Sequence, residues 1–552
     1  MLVTLYVQYI RFLQSRRIRA TSGNPMAVQN ALLLRIIREN KSTLYGRQHK
    51  FENINNYVDF SRQVPVREYE ALRSFVDAEI ERSEKALTCE LPLRYARTSG
   101  TSGKPKDIPI TASYLKALRR IQQTAVAYQH QACPEAFSGS ILAITSPANE
   151  GVLSNGKSFG SASGTVADNT PAPVREKFIP LAAALTVQDS RVKYLLILRL
   201  ALARRDITYV CTANPTTMLT LIKLYREHES LIIDDLQTGK FFLADKVPPA
   251  AWSVIEPYIT ACPQRAAELS RSRATSEERR IADLWPTLHL VVTWTGGSAG
   301  IAVEALRREL SPRTRILELG YLSSEVHATF TIGRRAQTGM PTFDTYFFEF
   351  AEREKWDRGE QECLTMDRLR KNVDYYVIVT TPSGLYRYFM NDVVRVTGFL
   401  RRTPLLKFVQ KGKGVTNITG EKLYEAQVLT AVRVAMEEAG YATRFVMMLA
   451  DEQAYRYRLY VEADVMPALV ATAFAKTVEV KLMDLNIEYR CKRESERLGL
   501  LTAIWLKPGA GEAYKYFCVQ QGQREGQFKT VALAYRREFH FDIEAHAEDI
   551  QS

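Results

Sequence analysis

Between Val28 and Asn40 the sequence VQNALLLRIIREN places Leu32, Leu33, Ile36 and Ile37 at helical spacing, which predicts a helix with one buried stripe. The opening MLVTLYVQYIRFLQSRRIRA is apolar up to Arg11, with no basic region ahead of it. It is too short to span a bilayer and predicts a docked amphipathic helix. VPVREYEALRSFVDAEIERSE, starting at Val64, reads as a turn feeding another helix. Further along the period changes. LHLVVTWTGGSAG (288–300) is a β-rich run stopped by a glycine pair and followed by the helical IAVEALRRELS, and TRILELGYLSSEVHATF (314–330) repeats the form with a strand ending at Gly320-Tyr321. A buried strand, a glycine turn and a helix place a ligand at the carboxyl edge of a parallel sheet. YYVIVTT and GLYRYFMNDVVRVTGF (384–399) predict strands around a Pro-Ser-Gly turn.

After Phe408 the pattern breaks. VQKGKGVTNITGEK (409–422) is glycine-rich with little apolar periodicity and reads as a hinge. Beyond it, EKLYEAQVLTAVRVAMEEAG predicts a helix ended by Gly440, RFVMMLA and YRYRLYVEAD strands, MPALVATAFAKTVEVKLMDLN a helix and LTAIWLKPG a strand. The expected architecture is α/β: a large body of several subdomains (1–408), a hinge (409–422) and a small α+β C-terminal cap (423–552).

The 552-residue length fits this division, and 46% apolar with 24% charged residues is an ordinary globular composition. The formal charge of +13 favours anionic partners. Its carriers are short groups such as SRRIRA (15–20), RSRATSEERR (271–280) and RRTPLLK (401–407), read here as solvated faces. No nucleic acid, membrane or obligate protein partner is expected from the sequence. Cys89, Cys133, Cys211, Cys262, Cys363, Cys491 and Cys518 are widely spaced without a ligand pattern, which fits a reducing cytoplasm and argues against structural zinc.

One segment carries candidate chemistry. RYARTSGTSGKPKDIPIT (94–111) crowds glycines and hydroxyls between Arg97 and Lys104, then adds Lys106. Successive backbone N–H groups of a glycine loop converge on an anion, so a nucleotide phosphate is the first candidate ligand. On composition alone a flexible polar linker is the other reading. The loop does not follow the Walker pattern, because Thr98 stands where a glycine would precede Gly103 and Pro105 follows Lys104.

Taken in order, the loop TSGTSGKPK (98–106), the turn YLSSE (321–325) and the strand end YRYFMND (386–392) resemble the nucleotide motifs of adenylate-forming enzymes. With NKSTLYGRQHKFENINNYVDFSRQVPVREYE (40–70), KDIPIT (106–111), TANPTTMLTLIKLY (212–225), GEKLYE (420–425) and GQFK (526–529), the chain resembles, over nearly its whole length, the auxin-responsive-promoter family of acyl acid-amido synthetases. The resemblance implies an AMP-forming ligase that joins a carboxylic acid to an amino acid, using ATP and Mg²⁺. It assigns Ser99, Gly100, Thr101, Ser102, Gly103 and Lys106 to the phosphates, Gly296, Gly297, Ser298 and Tyr321 to the adenine, and Ser324 to ATP binding. Glu325 is expected to hold Mg²⁺, Asp392 the ribose hydroxyls, and Lys411 the nucleotide from the hinge. Lys529 of the cap stands at the place of the family's catalytic lysine, with Lys515 its nearest rival. The residue types suit this chemistry: a carboxylate accepts two hydroxyls, and lysines and a metal neutralise phosphate charge.

Two positions depart from the family. Asn391 replaces the glycine common before the aspartate, and Gln410-Lys411-Gly412 replaces a Gly-Arg pair, trading a bidentate fork for a point charge. His327, two residues beyond Glu325, reads as a packed or capping histidine. Two other functions stay open: transfer of the acyl group to coenzyme A or a carrier thiol, and a non-catalytic binding protein that keeps the fold. SPANEGVLSNGKSFGSASG (146–164) and TANPTTM (212–218) are expected to help line the acid pocket, but neither names the acid or the amine.

Overall fold

The computed structural model describes residues 2–98, 106–170, 172–273, 279–296, 299–333, 338–412, 414–416, 418–419, 421, 423–464, 471–494, 498–521, 523, 525, 528 and 530–548. The chain falls into two compact units: residues 1–295, 309–390 and 394–407, and residues 296–308, 391–393 and 408–552. Among the described residues no helix is long and apolar enough to cross a membrane.

The first unit is built around a parallel sheet in which Ser140–Ile144, Ile207–Thr212, Leu290–Thr293 and Arg315–Glu318 lie side by side in chain order. All four residues of Leu290–Thr293 are buried, which is why LVVT reads as an unbroken apolar run instead of an alternating one. The carboxyl ends of these strands lead into the turns at 294–296 and 319–321 that the sequence singled out. A six-stranded sheet holds, in order, Phe347–Glu352, Asp374–Thr380, Tyr388–Leu400, Thr403–Lys411, Gly339–Pro341 and Thr329–Thr331. A smaller one holds Lys106–Ile110, Arg94–Thr98, Ser158–Gly160 and Gly151–Val152. The predicted stripe of the helix Pro25–Glu39 is buried at Leu32, Leu33, Ile36 and Ile37, and Asn24 caps its start by accepting from the Ala27 N–H.

In the second unit the strands Thr443–Asp451 and Arg456–Ala463 form a central antiparallel pair, flanked in parallel by Leu533–Tyr535 and Thr502–Trp505. Val446, Met448 and Ala450 join a core with the helices Glu425–Ala439 and Ala471–Leu485, while Phe445, Met447 and Leu449 face a second cluster with Tyr460, Leu506 and Ile543. Side chains alternate across a strand, so burial of both faces makes FVMMLA apolar throughout. Gly440 ends the helix at φ 78°, as its position predicts.

The segment 409–422 contains more structure than its composition suggests. Thr403–Lys411 continues as strand into it, and Val415–Thr416 pairs antiparallel with Leu423–Tyr424. GEKLYE contributes two buried glutamates. Glu421 accepts from the Ile418 and Thr419 N–H groups at 2.7 and 2.8 Å and from the Tyr457 hydroxyl at 2.5 Å. Glu425 accepts from the Ala532 N–H at 2.6 Å, and burial raises its carboxyl to about 7. Because the folded chain holds this proton more tightly than the unfolded one, stability contributed here is present below the ordinary carboxyl range and is lost as pH rises to about 7. Glu425→Gln removes that slope, at most about 1.4 kcal/mol per pH unit. Urea unfolding of wild type and variant at pH 5 and pH 7.5 reads it; equal pH slopes in the two proteins count against a raised Glu425.

Candidate active site

Strands Arg94–Thr98 and Lys106–Ile110 pair antiparallel with Thr98 opposite Lys106, a hairpin whose two strands are fixed in register on either side of residues 99–105. Asp107 anchors that hairpin. Its carboxylate takes a bidentate pair from Arg97, both bonds 2.8 Å, and the Arg97 guanidinium lies 3.7 Å over the Phe159 ring. The Tyr69 hydroxyl donates to the Asp107 carbonyl at 2.9 Å and accepts from its N–H at 2.8 Å, while the Tyr69 ring lies 5.7 Å from the Lys106 ammonium. The backbone of Lys106 and Asp107 is therefore held by strand pairing and by Tyr69.

At the carboxyl edge of the parallel sheet Glu318 ties two turns together. Its carboxylate accepts from the Thr295 N–H (2.7 Å) and hydroxyl (2.5 Å) and from the Gly320 N–H (2.9 Å). Gly320 has φ 110°, and a side chain there would meet the Thr329 carbonyl, so only glycine makes this turn. Tyr321 follows, buried, its N–H donating to Thr329 Oγ1 at 2.9 Å. The Ser323 hydroxyl accepts from the Glu325 and Val326 N–H groups at 3.3 Å each, and Ser324 is buried. His327 is neutral: burial pushes its imidazole down to about 4, and its Nε2 is buried without a hydrogen bond. Its environment is that of the packed histidine the sequence suggested.

The structure brings Lys106 and Glu325 together through a residue that sequence reasoning missed. The Tyr388 hydroxyl lies 3.3 Å from Lys106 Nζ and donates to Glu325 Oε1 at 3.2 Å. Tyr388 is aimed by its neighbour Arg387, which has φ 45° and whose side chain is locked in a buried pair with Glu349 at 2.8 Å and onto the Ser61 and Val64 carbonyls. A backbone ladder joins Arg67 to Arg387 and Phe389, at 3.1 and 2.8 Å. VPVREYE and YRYFMND were both noted in the sequence, but nothing local indicates that they pair.

In the second unit, Asp392 is 1% exposed. Asn391 before it adopts φ 51°, and its carbonyl accepts from the Gly412 N–H at 2.7 Å. The departure from glycine thus sits where the backbone is left-handed, a conformation asparagine tolerates better than other side chains. A Cβ on Gly296 would stand 3.2 Å from the Phe408 carbonyl oxygen. Gln410 is buried and accepts from the Ala426 N–H at 3.3 Å. Lys515 pairs with Glu525 at 3.3 Å. Ser99, Gly100, Thr101, Ser102, Gly103, Gly297, Ser298 and Lys529, and the side chain of Lys411, lie outside the described residues.

An ammonium and a carboxylate bridged by one hydroxyl, beside a register-fixed strand pair, suit a polyphosphate and a hard cation. Among the described residues no group of three or more His, Cys, Asp or Glu could hold a metal. Glu325 offers one carboxylate, which fits Mg²⁺ carried by phosphates and otherwise hydrated.

The fold is one shared with solved ligases. It is similar to a 2-hydroxyisobutyryl-CoA ligase in its postadenylation state (TM-score 0.53, 12% identity, 94% of this chain and 91% of that one) and, more strongly, to the GH3.15 acyl acid amido synthetase (TM-score 0.83, 22% identity, 96% and 95%). The sequence matches the GH3 family N-terminal domain over residues 14–316, the central domain over 339–411 and the C-terminal domain over 426–538, and the chain belongs to the GH3 family. Its relatives include the indole-3-acetic acid-amido synthetase GH3.15 of Arabidopsis thaliana, 26% identical over 92% of this chain and 90% of that protein. The 4-substituted benzoates-glutamate ligase GH3.12 of the same plant is 22% identical over 93% and 94%.

Proposed function

We propose that this chain is an ATP-dependent acyl acid-amido synthetase. The carboxylate of an acyl acid attacks the α-phosphorus of ATP, consumed as substrate, and pyrophosphate leaves; an amino-acid amine then attacks the acyl carbon and AMP leaves. The observation that carries the reading is the Lys106–Tyr388–Glu325 constellation within a chain that belongs to the GH3 family. Lys106 and the donors of residues 99–103 hold phosphate oxygens, Glu325 holds Mg²⁺, and Lys411 and Lys529 add positive charge. Mg²⁺, when bound, supplies charge neutralisation on the phosphates. Tyr321, Ser324 and the turn at Gly296, Gly297 and Ser298 take the adenine, and Asp392 accepts from the two ribose hydroxyls. The amide product is favoured over a thioester by the amido synthetases and the glutamate ligase among the relatives. The widely spaced cysteines suit a cytoplasmic setting.

The test is AMP release by the purified protein across a panel of acyl acids, with amino acids or coenzyme A added. AMP that needs both an acid and an amino acid supports the proposal; a requirement for coenzyme A replaces it with the thioester reading, and no acid-dependent AMP removes catalysis. Asp392→Asn keeps the shape but removes the charge from two hydrogen bonds, and raises the ATP requirement of the first step by about tenfold. Unchanged ATP dependence in the folded variant takes Asp392 out of the ribose site.

A further inference from the structure

The helix Leu2–Thr21 has two apolar sides. Val7, Ile10 and Ile18 are buried, but Leu5, Tyr9, Phe12 and Leu13 are 56%, 62%, 56% and 42% exposed. With the exposed Gln8, Arg16, Arg19 and Ala20 they recur at helical spacing and make one face. A single exposed leucine needs no explanation, whereas four large apolar side chains in one stripe mark a surface made to be covered.

The turn between strands Tyr388–Leu400 and Thr403–Lys411 is fastened to the end of that helix. Arg401 Nη1 donates to the Arg19 carbonyl at 2.7 Å, across 382 positions of sequence. The Arg402 N–H and the Thr403 hydroxyl both donate to the Ser22 carbonyl at 3.2 Å. The Arg401 and Arg402 side chains remain exposed, next to a partly exposed Phe399. Arg401 has φ 55°, where glycine or asparagine is the easier occupant, so the turn carries its cation against backbone preference. Two basic groups that look scattered and solvated in the sequence are thus one cluster of Arg16, Arg19, Arg401 and Arg402 at one end of the apolar stripe. Residues 2–21 and 399–403 contain no Asp or Glu. Arg17 is not part of this face, because it pairs with Asp344 and donates to Gln14.

We propose that this face docks on an anionic lipid bilayer, with Leu5, Tyr9, Phe12 and Leu13 at the headgroup–acyl boundary and the four guanidiniums on lipid phosphates. Charge complementarity selects this occupant. A second copy of the same face brings no carboxylate to meet four arginines, and nucleic acid meets the arginines but leaves the leucines in water. An anionic bilayer surface satisfies both halves of the face, and its attraction extends about one Debye length.

Purified full-length protein is sedimented with phosphatidylcholine vesicles and with mixed phosphatidylcholine–phosphatidylserine vesicles. Binding is expected to the anionic vesicles and to fall with salt. Arg401→Glu with Arg402→Glu weakens it by about 25-fold or more, at about fivefold for each basic residue removed. Tyr9→Ser and Phe12→Ser each weaken it by about tenfold. Tyr9, Phe12 and the Arg402 side chain are exposed, so melting temperature and turnover on soluble substrate stay unchanged in their single variants, and Arg402→Glu alone, about fivefold weaker in binding, controls for the loss of the Arg401 bond to the Arg19 carbonyl. Equal binding to both vesicle types, no binding, or binding indifferent to these substitutions overturns the proposal. So does a dimer in sedimentation velocity that Phe12→Ser dissolves while vesicle binding is absent.

Discussion

Lys106→Ala lowers acyl-adenylate formation by about 10²- to 10³-fold in a chain that remains folded, the scale for removing one preorganised electrostatic donor. Lys106 begins its strand opposite Thr98, and its ammonium lies 3.3 Å from the Tyr388 hydroxyl and over the Tyr69 and Tyr388 rings at 5.7 and 5.9 Å. These contacts hold the charge in place, so under the proposed function it needs little reorganisation toward phosphate oxygens. Tyr388→Phe separates charge from placement: it keeps the ammonium and removes the bridge to Glu325, so its loss is the smaller of the two. ATP–pyrophosphate exchange at saturating acid reads the first step, and calorimetry reads acid binding. Normal exchange with collapsed acid affinity in Lys106→Ala would move the hairpin from the phosphate site to the acid pocket.

Glu349→Ala destabilises the first unit by about 3–5 kcal/mol, because it leaves a buried guanidinium without its partner. The side chains of Arg387 and Glu349 are 7% and 0% exposed, and the Tyr57 hydroxyl donates to the same carboxylate at 3.0 Å. The effect should reach the site, since Arg387 at φ 45° directs the chain into Tyr388. Replacing both partners, Glu349→Leu with Arg387→Met, restores much of the stability, because no charge is then left buried. Denaturant midpoints of the single and double variants test this. A single variant as stable as wild type shows that the guanidinium is compensated elsewhere.

How much of the site was legible follows from the range of each interaction. The glycine turn at 320 was readable because a left-handed residue at a strand end is a local demand. Lys106, Glu325 and Asp392 were readable as motif positions. Tyr388 and Tyr69 were not, since each owes its place to a partner far along the chain: Arg67 bridges Tyr388, and Tyr69 brackets Asp107. The short strands within 409–422 were not legible, because its buried side chains, Gln410, Thr416 and Glu421, are polar, which apolar periodicity does not register.

Local periodicity and turn chemistry by themselves determined the helices, the buried parallel strands and the Gly440 stop, because each depends on residues within a turn or two of one another. Tertiary structure alone decided which side chains meet: the hydroxyl that joins Lys106 to Glu325, the buried pair beneath it, and Arg16, Arg19, Arg401 and Arg402 gathered beside one exposed stripe. Those contacts are set by strand register and by hydrogen bonds across hundreds of residues, and no short stretch of sequence encodes its distant partner.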